Sequence, residues 1–179
     1  MRSALAVVVL AAAVLAAAVL AACSAALDGT SPEAAHDLGG AWRLVSAQAF
    51  SADGALVYDP EVQTGLLVVA GGRYSFAWTR APRPPAAQPW AATDAEKLAS
   101  FNALIAHGGR LVRAAADTLR AEAEVAKSPE FVGGHETFAL ALRGDTLRLA
   151  AVWAEAGDGT PVPFYARGGR QEYVFARAR

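Results

Sequence analysis

The 179-residue chain has a single cysteine, Cys23, so it cannot form a disulfide within itself. It has only three histidines, His36, His107 and His135, and no two of them have the spacing of metal ligands. It contains no Gly-x-Ser-x-Gly motif, and its formal net charge is only −1. These absences argue against a disulfide scaffold, a metal centre, a serine hydrolase and a nucleic-acid binder, and they indicate no cofactor.

The amino terminus combines one basic residue, Arg2, with an uncharged run at positions 4–27. A basic start, an apolar stretch and small residues before a cleavage site are typical of a secretory signal. Residues 20–23 read Leu-Ala-Ala-Cys, which resembles the lipobox of bacterial lipoproteins. The resemblance implies that residues 1–22 are a signal peptide and that Cys23 is lipidated.

The same resemblance implies a location outside the cytoplasm, in the cell envelope, with the chain anchored to a membrane through the lipid on Cys23. Ser24 after the cysteine resembles the default for outer-membrane sorting, where the host has an outer membrane. Two alternatives stay open: an uncleaved anchor helix, which at about 1.5 Å rise per residue would be long enough to span a bilayer, and ordinary cleaved secretion. Residues 23–37 have no periodic face and are expected to be a flexible tether, with His36 solvated.

Residues 38–179 read as one domain of short strands separated by glycine-rich turns. Gly71-Gly72 and Gly144-Asp145 are typical two-residue hairpin loops between alternating apolar strands. Regular alternation and even strand spacing predict an antiparallel all-β fold with one solvated face, either a barrel or a sandwich. The pattern gives about eight strands.

One helix interrupts the strands, between the third and the fourth. Thr93 followed by Glu96 forms the pattern of a capping box, which predicts that the helix begins at Asp94. Apolar residues then repeat at helical spacing as far as His107, and Gly108-Gly109 is expected to end the helix.

Three short motifs follow one another along the domain. Residues 40–46 read Gly-Ala-Trp-Arg-Leu-Val-Ser, residues 65–75 form a Gly-Leu-Leu hairpin, and residues 129–149 join Pro-Glu-Phe-Val-Gly to Gly-Asp-Thr-Leu-Arg-Leu. In this order the motifs resemble the bacterial lipocalin-like domain, a relative of the lipocalins and other calycin barrels. The resemblance covers about residues 38–177 and implies an antiparallel barrel of about eight strands.

The resemblance also assigns a structural signature, Gly40 and Trp42. In lipocalins the signature tryptophan packs at the closed end of the barrel, under a basic residue from near the last strand. Arg177 is the first candidate for that residue here, and Arg170 is the second.

An eight-stranded barrel is wide enough either to be filled by side chains or to hold one small ligand. Aromatic side chains on alternating strand positions are the candidates for lining a cavity: Tyr74, Phe76, Trp78, Phe138 and Trp153. The leading interpretation is a monomeric, membrane-anchored protein that binds a small hydrophobic ligand.

Two alternatives to ligand binding remain. One is a filled barrel that acts as an interaction or structural module of the envelope. The other is an enzyme on a calycin-like barrel, in which His135, Glu136 or Tyr74 would converge in the cavity with shifted pKa values. No catalytic constellation is evident in the sequence.

Overall fold

The computed structural model describes residues 38–60, 64–80 and 85–179. The predicted signal peptide, the lipidated Cys23, the tether and His36 lie outside these residues. The described strands are β1 (Gly40–Phe50), β2 (Leu56–Tyr58), β3 (Thr64–Ala70), β4 (Arg73–Thr79), β5 (Leu104–Ala115), β6 (Thr118–Ala126), β7 (His135–Arg143), β8 (Thr146–Glu155) and β9 (Arg170–Arg177). The described helices are α1 (Asp94–Ala103), a 3-10 turn at Pro129–Phe131, and α2 (Pro163–Ala166).

Eight of the strands close into an antiparallel barrel. Strands β1 and β3 to β9 each pair with the next in order, and β9 pairs back with β1 to complete the ring. The short β2 lies outside the ring and pairs with the end of β1. Closure leaves the barrel strands no free edge, which protects them against edge-to-edge association.

The predicted position of the helix is wrong. The capping box at Thr93 and Glu96 is present, and α1 begins at Asp94, but the helix lies between β4 and β5 rather than between the third and fourth strands. The difference arises from β2, a three-residue strand whose side chains are all exposed and therefore give no alternating signal.

The predicted end of the helix is also wrong. The helix stops at Ala103, and residues 104–107, expected to be helical, begin β5 and pair with β4. Gly108-Gly109 lies inside β5 at a register shift against β6. A Cβ at Gly109 would collide with the backbone oxygen of Glu122, so glycine is needed there for close strand approach rather than for ending a helix.

Alternation along the strands builds the core. In β4 the side chains of Tyr74, Phe76 and Trp78 are buried, while Ser75 and Ala77 between them are exposed. The opposing strands contribute further buried apolar side chains to the same interior: Leu44, Leu67, Val69, Leu119, Phe138, Leu147, Leu149, Tyr173 and Phe175. Burial of this apolar surface is the main term that favours the barrel.

One end of the barrel is closed around Trp42, which has no exposed surface. Its Nε1 donates to the Leu38 carbonyl at 2.8 Å, and the guanidinium carbon of Arg177 lies 4.1 Å from the centroid of its ring system. Arg177 Nη1 also donates to the Gly39 carbonyl at 3.0 Å. Gly40 has a φ of 119°, which favours glycine, and a Cβ there would lie 3.4 Å from Arg177 Nη1.

Arg170, the second candidate for the contact with Trp42, lies elsewhere. Its guanidinium carbon is 4.5 Å from the Phe50 ring centroid, and its Nε lies 2.8 Å from Glu172 Oε1. The structure therefore assigns the cation–π contact at the closed end to Arg177.

Candidate functional site

The half of the barrel opposite Trp42 contains a cavity with a volume of about 600 Å³, called the larger cavity below. This volume is in the range of small-molecule sites, and most of the cavity surface is apolar. The strand residues that line the larger cavity are Ala49, Val57, Tyr58, Trp78, Ile105, Ala106, His107, Ala126, Glu136, Ala154, Gln171 and Tyr173. The lining residues outside the strands are Arg80, Lys127, Ser128, Glu130, Phe131, Ala156, Val162, Phe164 and Tyr165.

A second, smaller cavity lies within the core on the Trp42 side and holds only about 20 Å³. Its walls include Leu38, Phe76 and Phe175, and it is apolar throughout. A space of this size holds about one water molecule, and an apolar lining offers that water no partner. Side chains therefore nearly fill this part of the barrel, whereas the larger cavity has room for a ligand.

Four of the five aromatic residues predicted to line a cavity are buried inside the barrel. Trp78 lines the larger cavity, whereas Tyr74, Phe76 and Phe138 line the smaller one. The Trp78 indole N–H is buried without a hydrogen-bond partner in the described part of the chain. Because only the larger cavity of the two has room for a ligand, Trp78 is the one residue of these four that borders such space.

The fifth prediction, Trp153, is wrong. Its side chain is 36% exposed, lines neither cavity, and places Nε1 3.3 Å from Glu155 Oε2 at the surface. The cause is a bulge in β8, where the register against β7 shifts between Ala151 and Trp153. The extra residue turns Trp153 outward and Ala154 inward.

A chain of buried polar side chains runs from the smaller cavity, which Tyr74 lines, to the wall of the larger cavity, which is lined by His107, Glu136, Tyr165 and Tyr173. The Tyr74 hydroxyl lies 2.9 Å from His107 Nδ1, and His107 Nε2 lies 3.8 Å from Glu136 Oε2. The Tyr165 hydroxyl donates to Glu136 Oε1 at 3.0 Å. Tyr173 packs beside this group, with its ring centroid 5.4 Å from that of Phe76. Strands β4, β5, β7 and β9 and helix α2 all contribute to the cluster.

Two of the three residues considered for an acid–base site, Glu136 and Tyr74, are thus brought near each other through His107. The third, His135, is not. It precedes Glu136 on β7, so its side chain points to the other face of the sheet, where Nδ1 lies 3.1 Å from Glu155 Oε1.

Sequence reasoning missed His107, Tyr165 and Tyr173. His107 was assigned to the end of a helix, although its position two residues after Ile105 also fits an inward-facing strand position. Tyr173 belongs to the predicted last strand and alternates with Phe175, which was a usable signal. Tyr165 lies in a four-residue helix, which is too short to show a helical repeat of apolar residues in the sequence.

Burial controls the protonation of this cluster. Desolvation lowers the pKa of His107 to about 4, so its imidazole is neutral at pH 7. Desolvation raises the pKa of Glu136 to about 7, and the Tyr165 hydrogen bond opposes that rise. Burial, followed by the negative charge of Glu136, raises the pKa of Tyr74, Tyr165 and Tyr173 above the usual range. At neutral pH, Glu136 alone in the cluster can change its charge readily.

Across residues 38–60, 64–80 and 85–179, no group of three or more His, Cys, Asp or Glu side chains is placed to hold a metal ion. The same residues form no helix that is both long and apolar enough to cross a membrane.

Comparison with protein-family models matches residues 39–162 to the lipocalin-like domain. Searches among curated proteins and among solved structures found no match. The matched range includes Trp42, His107 and Glu136, while α2 and β9, which complete the cavity and the barrel, lie beyond it. Because the match covers more than half of the chain and the barrel agrees with it, the chain belongs to the lipocalin-like domain family.

Proposed function

We propose that this protein binds a small, mainly apolar molecule in the larger cavity while a lipid on Cys23 holds it at a membrane of the cell envelope. The observation that carries the ligand proposal is the cavity itself: about 600 Å³, mostly apolar, with aromatic walls and a few polar groups on one side. Sites with this combination of size and lining are typical of small-molecule binding.

The filled half of the barrel supports the alternative of a structural module only in part. The smaller cavity has no room for a ligand, so the Trp42 end serves the stability of the fold. The larger cavity is not needed for that purpose, since unfilled space in a protein interior costs stability. A binding role accounts for both halves.

Proton-transfer catalysis is the second candidate function, favoured by the Glu136 carboxyl group on the wall of an apolar cavity. A carboxyl group with a pKa of about 7 is suited to act as general acid or base near neutral pH. Recovery of the bound ligand after incubation separates the two functions, because a carrier returns the ligand unchanged and an enzyme returns a product.

Ala154→Phe tests the proposed binding site. Ala154 is 3% exposed and lines the larger cavity, so an inward phenyl ring would occupy ligand space. We expect titrations with a fluorescent apolar dye to show that the variant binds the dye at least about tenfold more weakly than the unaltered chain, a loss of about 1.4 kcal/mol of binding free energy. The titrations use the mature chain from residue 23 with Cys23→Ser, which keeps acyl chains and detergent out of the assay.

Two further variants make this test specific. Ala49→Phe places a ring in the same cavity from β1 and should also weaken dye binding, even if Ala154→Phe proves too disruptive to fold. Ala77→Phe adds the same ring on the exposed face of β4 and should bind dye like the unaltered chain. Equal binding by all three folded variants would show that the dye does not occupy the larger cavity.

Cys23→Ser tests the proposed anchor. Acylation requires the cysteine thiol, so cells fed radiolabelled palmitate should label the natural chain and leave the variant unlabelled. The natural chain should fractionate with membranes through its acyl groups. Label that persists in Cys23→Ser, or a natural chain that takes up none, would contradict lipidation at this position.

A further inference from the structure

Glu136 is a buried carboxyl group with no cationic partner. Only 8% of its side chain is exposed, and its Oε1 accepts one hydrogen bond, from Tyr165. Within the described residues, the one basic group within 4 Å of it is His107, at 3.8 Å from Oε2, and burial keeps that imidazole neutral at pH 7. Buried carboxylates are normally paired or fully hydrogen-bonded, so this site lacks a counter-charge.

The cations at the cavity do not supply this counter-charge. Arg80 Nε donates to the Asn102 carbonyl at 3.0 Å, and Lys127 Nζ donates to the Leu104 carbonyl at 2.8 Å. Lys127 Nζ also lies 4.2 Å from the Phe101 ring centroid. Both cationic groups thus bind backbone carbonyls where α1 joins β5, and among the described residues neither forms an ion pair with Glu136.

The walls around Glu136 are aromatic. Trp78, Tyr165 and Tyr173 line the same cavity as Glu136, and so does Phe131, whose ring lies 5.5 Å from that of His107. Aromatic faces attract cations, and the attraction strengthens where water is excluded. A carboxylate among aromatic rings therefore attracts an ammonium group and repels a second carboxylate.

We propose that the ligand of the larger cavity is an apolar molecule with one basic amine, which enters head first and pairs its ammonium group with Glu136. This inference rests on the proposed ligand-binding function and specifies the ligand's chemistry. The apolar part then lies against the apolar side chains of the same cavity, among them Val57, Ile105 and Val162.

Amine binding should depend on pH, because it requires the ionised form of Glu136. The titratable groups around the carboxylate are His107 on β5, Tyr165 on α2 and Tyr173 on β9, and Tyr74 contacts His107. The other charged residues that line the cavity are Arg80, Lys127 and Glu130. His107 stays neutral and the tyrosines stay protonated between pH 6 and 8. Over that range the ionised fraction of Glu136 rises about tenfold, and amine affinity should rise with it.

The test compares three probes of equal length, octylamine, 1-octanol and octanoic acid, against the mature chain carrying Cys23→Ser. At pH 8 we expect octylamine to bind at least about tenfold tighter than 1-octanol, and octanoic acid to bind most weakly. Glu136→Gln should remove the amine preference and keep alcohol binding. Glu172→Gln, the same change on the outer surface of β9, should retain the preference.

Each other outcome overturns a defined part of the account. If octylamine and 1-octanol bind equally well, the amine inference fails while the ligand-binding function stands. Tightest binding of octanoic acid would place the ligand's head at Arg80 and Lys127 instead. An amine preference that survives in Glu136→Gln, or that does not strengthen from pH 6 to 8, excludes Glu136 as the partner. Binding of no probe removes both proposals.

Discussion

Replacing Trp42 with alanine should lower the free energy of unfolding by about 3–5 kcal/mol. The side chain is completely buried at the closed end, and its Nε1 donates to the Leu38 carbonyl at 2.8 Å. The change leaves a cavity beneath Arg177, whose guanidinium carbon lies 4.1 Å from the Trp42 ring centroid. It therefore removes apolar burial, a buried hydrogen bond and a cation–π contact together.

Urea unfolding followed by circular dichroism measures this loss. Trp90→Ala is the matched control, because Trp90 is fully exposed and the same truncation there should change stability by less than about 0.5 kcal/mol. A loss below about 1 kcal/mol for Trp42→Ala would mean that the closed end does not hold the barrel together as described.

Replacing Glu136 with glutamine should change how stability depends on pH. In the folded chain the pKa of Glu136 is raised from 4.5 to about 7, so the stability that its protonated form contributes is lost as pH rises through about 7. The pKa of His107 is lowered from 6.5 to about 4, so its contribution is lost as pH falls through about 4. Between pH 4.5 and 6.5 the two contributions change in opposite directions and largely cancel.

Glu136→Gln removes one side of this balance. We expect the stability of the variant, relative to the unaltered chain, to increase by on the order of 2–3 kcal/mol between pH 5 and pH 8, because an amide has no charge to bury. Urea unfolding at the two pH values measures the difference, with Glu172→Gln as the surface control. A difference that does not change with pH would show that Glu136 is as easily ionised inside the barrel as in water.

Local patterns were sufficient to predict most of the barrel. The turns at Gly71-Gly72 and Gly144-Asp145 join the hairpins that alternation predicted, because a two-residue loop fixes the register of both flanking strands. The alternation of Tyr74, Phe76 and Trp78 also predicted the inner face of β4 correctly. In each case the deciding interactions are between residues close in sequence.

Bulges account for the principal errors on the strands. An extra residue in β8 reverses the inward and outward positions beyond Ala151, so strict alternation from Leu147 to Trp153 gives the wrong face for Trp153. The Gly108-Gly109 pair is ambiguous in the same way, since glycines both end helices and allow close approach in bulged strands. Only pairing with β6 decides between these roles, and that pairing is not visible in one strand's sequence.

The candidate site was harder to predict than the fold. His107, Glu136 and Tyr165 are far apart in sequence and meet only because the barrel closes and α2 brings Tyr165 to Glu136. Glu136 was noted as a possible acid beside His135, but adjacent strand residues face opposite sides, so its true partners come from other elements. The charge state of the cluster depends on how deeply each group is buried, and burial becomes known only from the folded structure.

Native mass spectrometry of the mature chain carrying Cys23→Ser, purified without detergent, tests the ligand-binding claim most directly. We predict a reproducible added mass that extracts into organic solvent, is depleted in Ala154→Phe and belongs to an apolar molecule. The bare mass of the protein, with no uptake after incubation with an envelope lipid extract, would contradict the proposal that the larger cavity binds a ligand from the envelope.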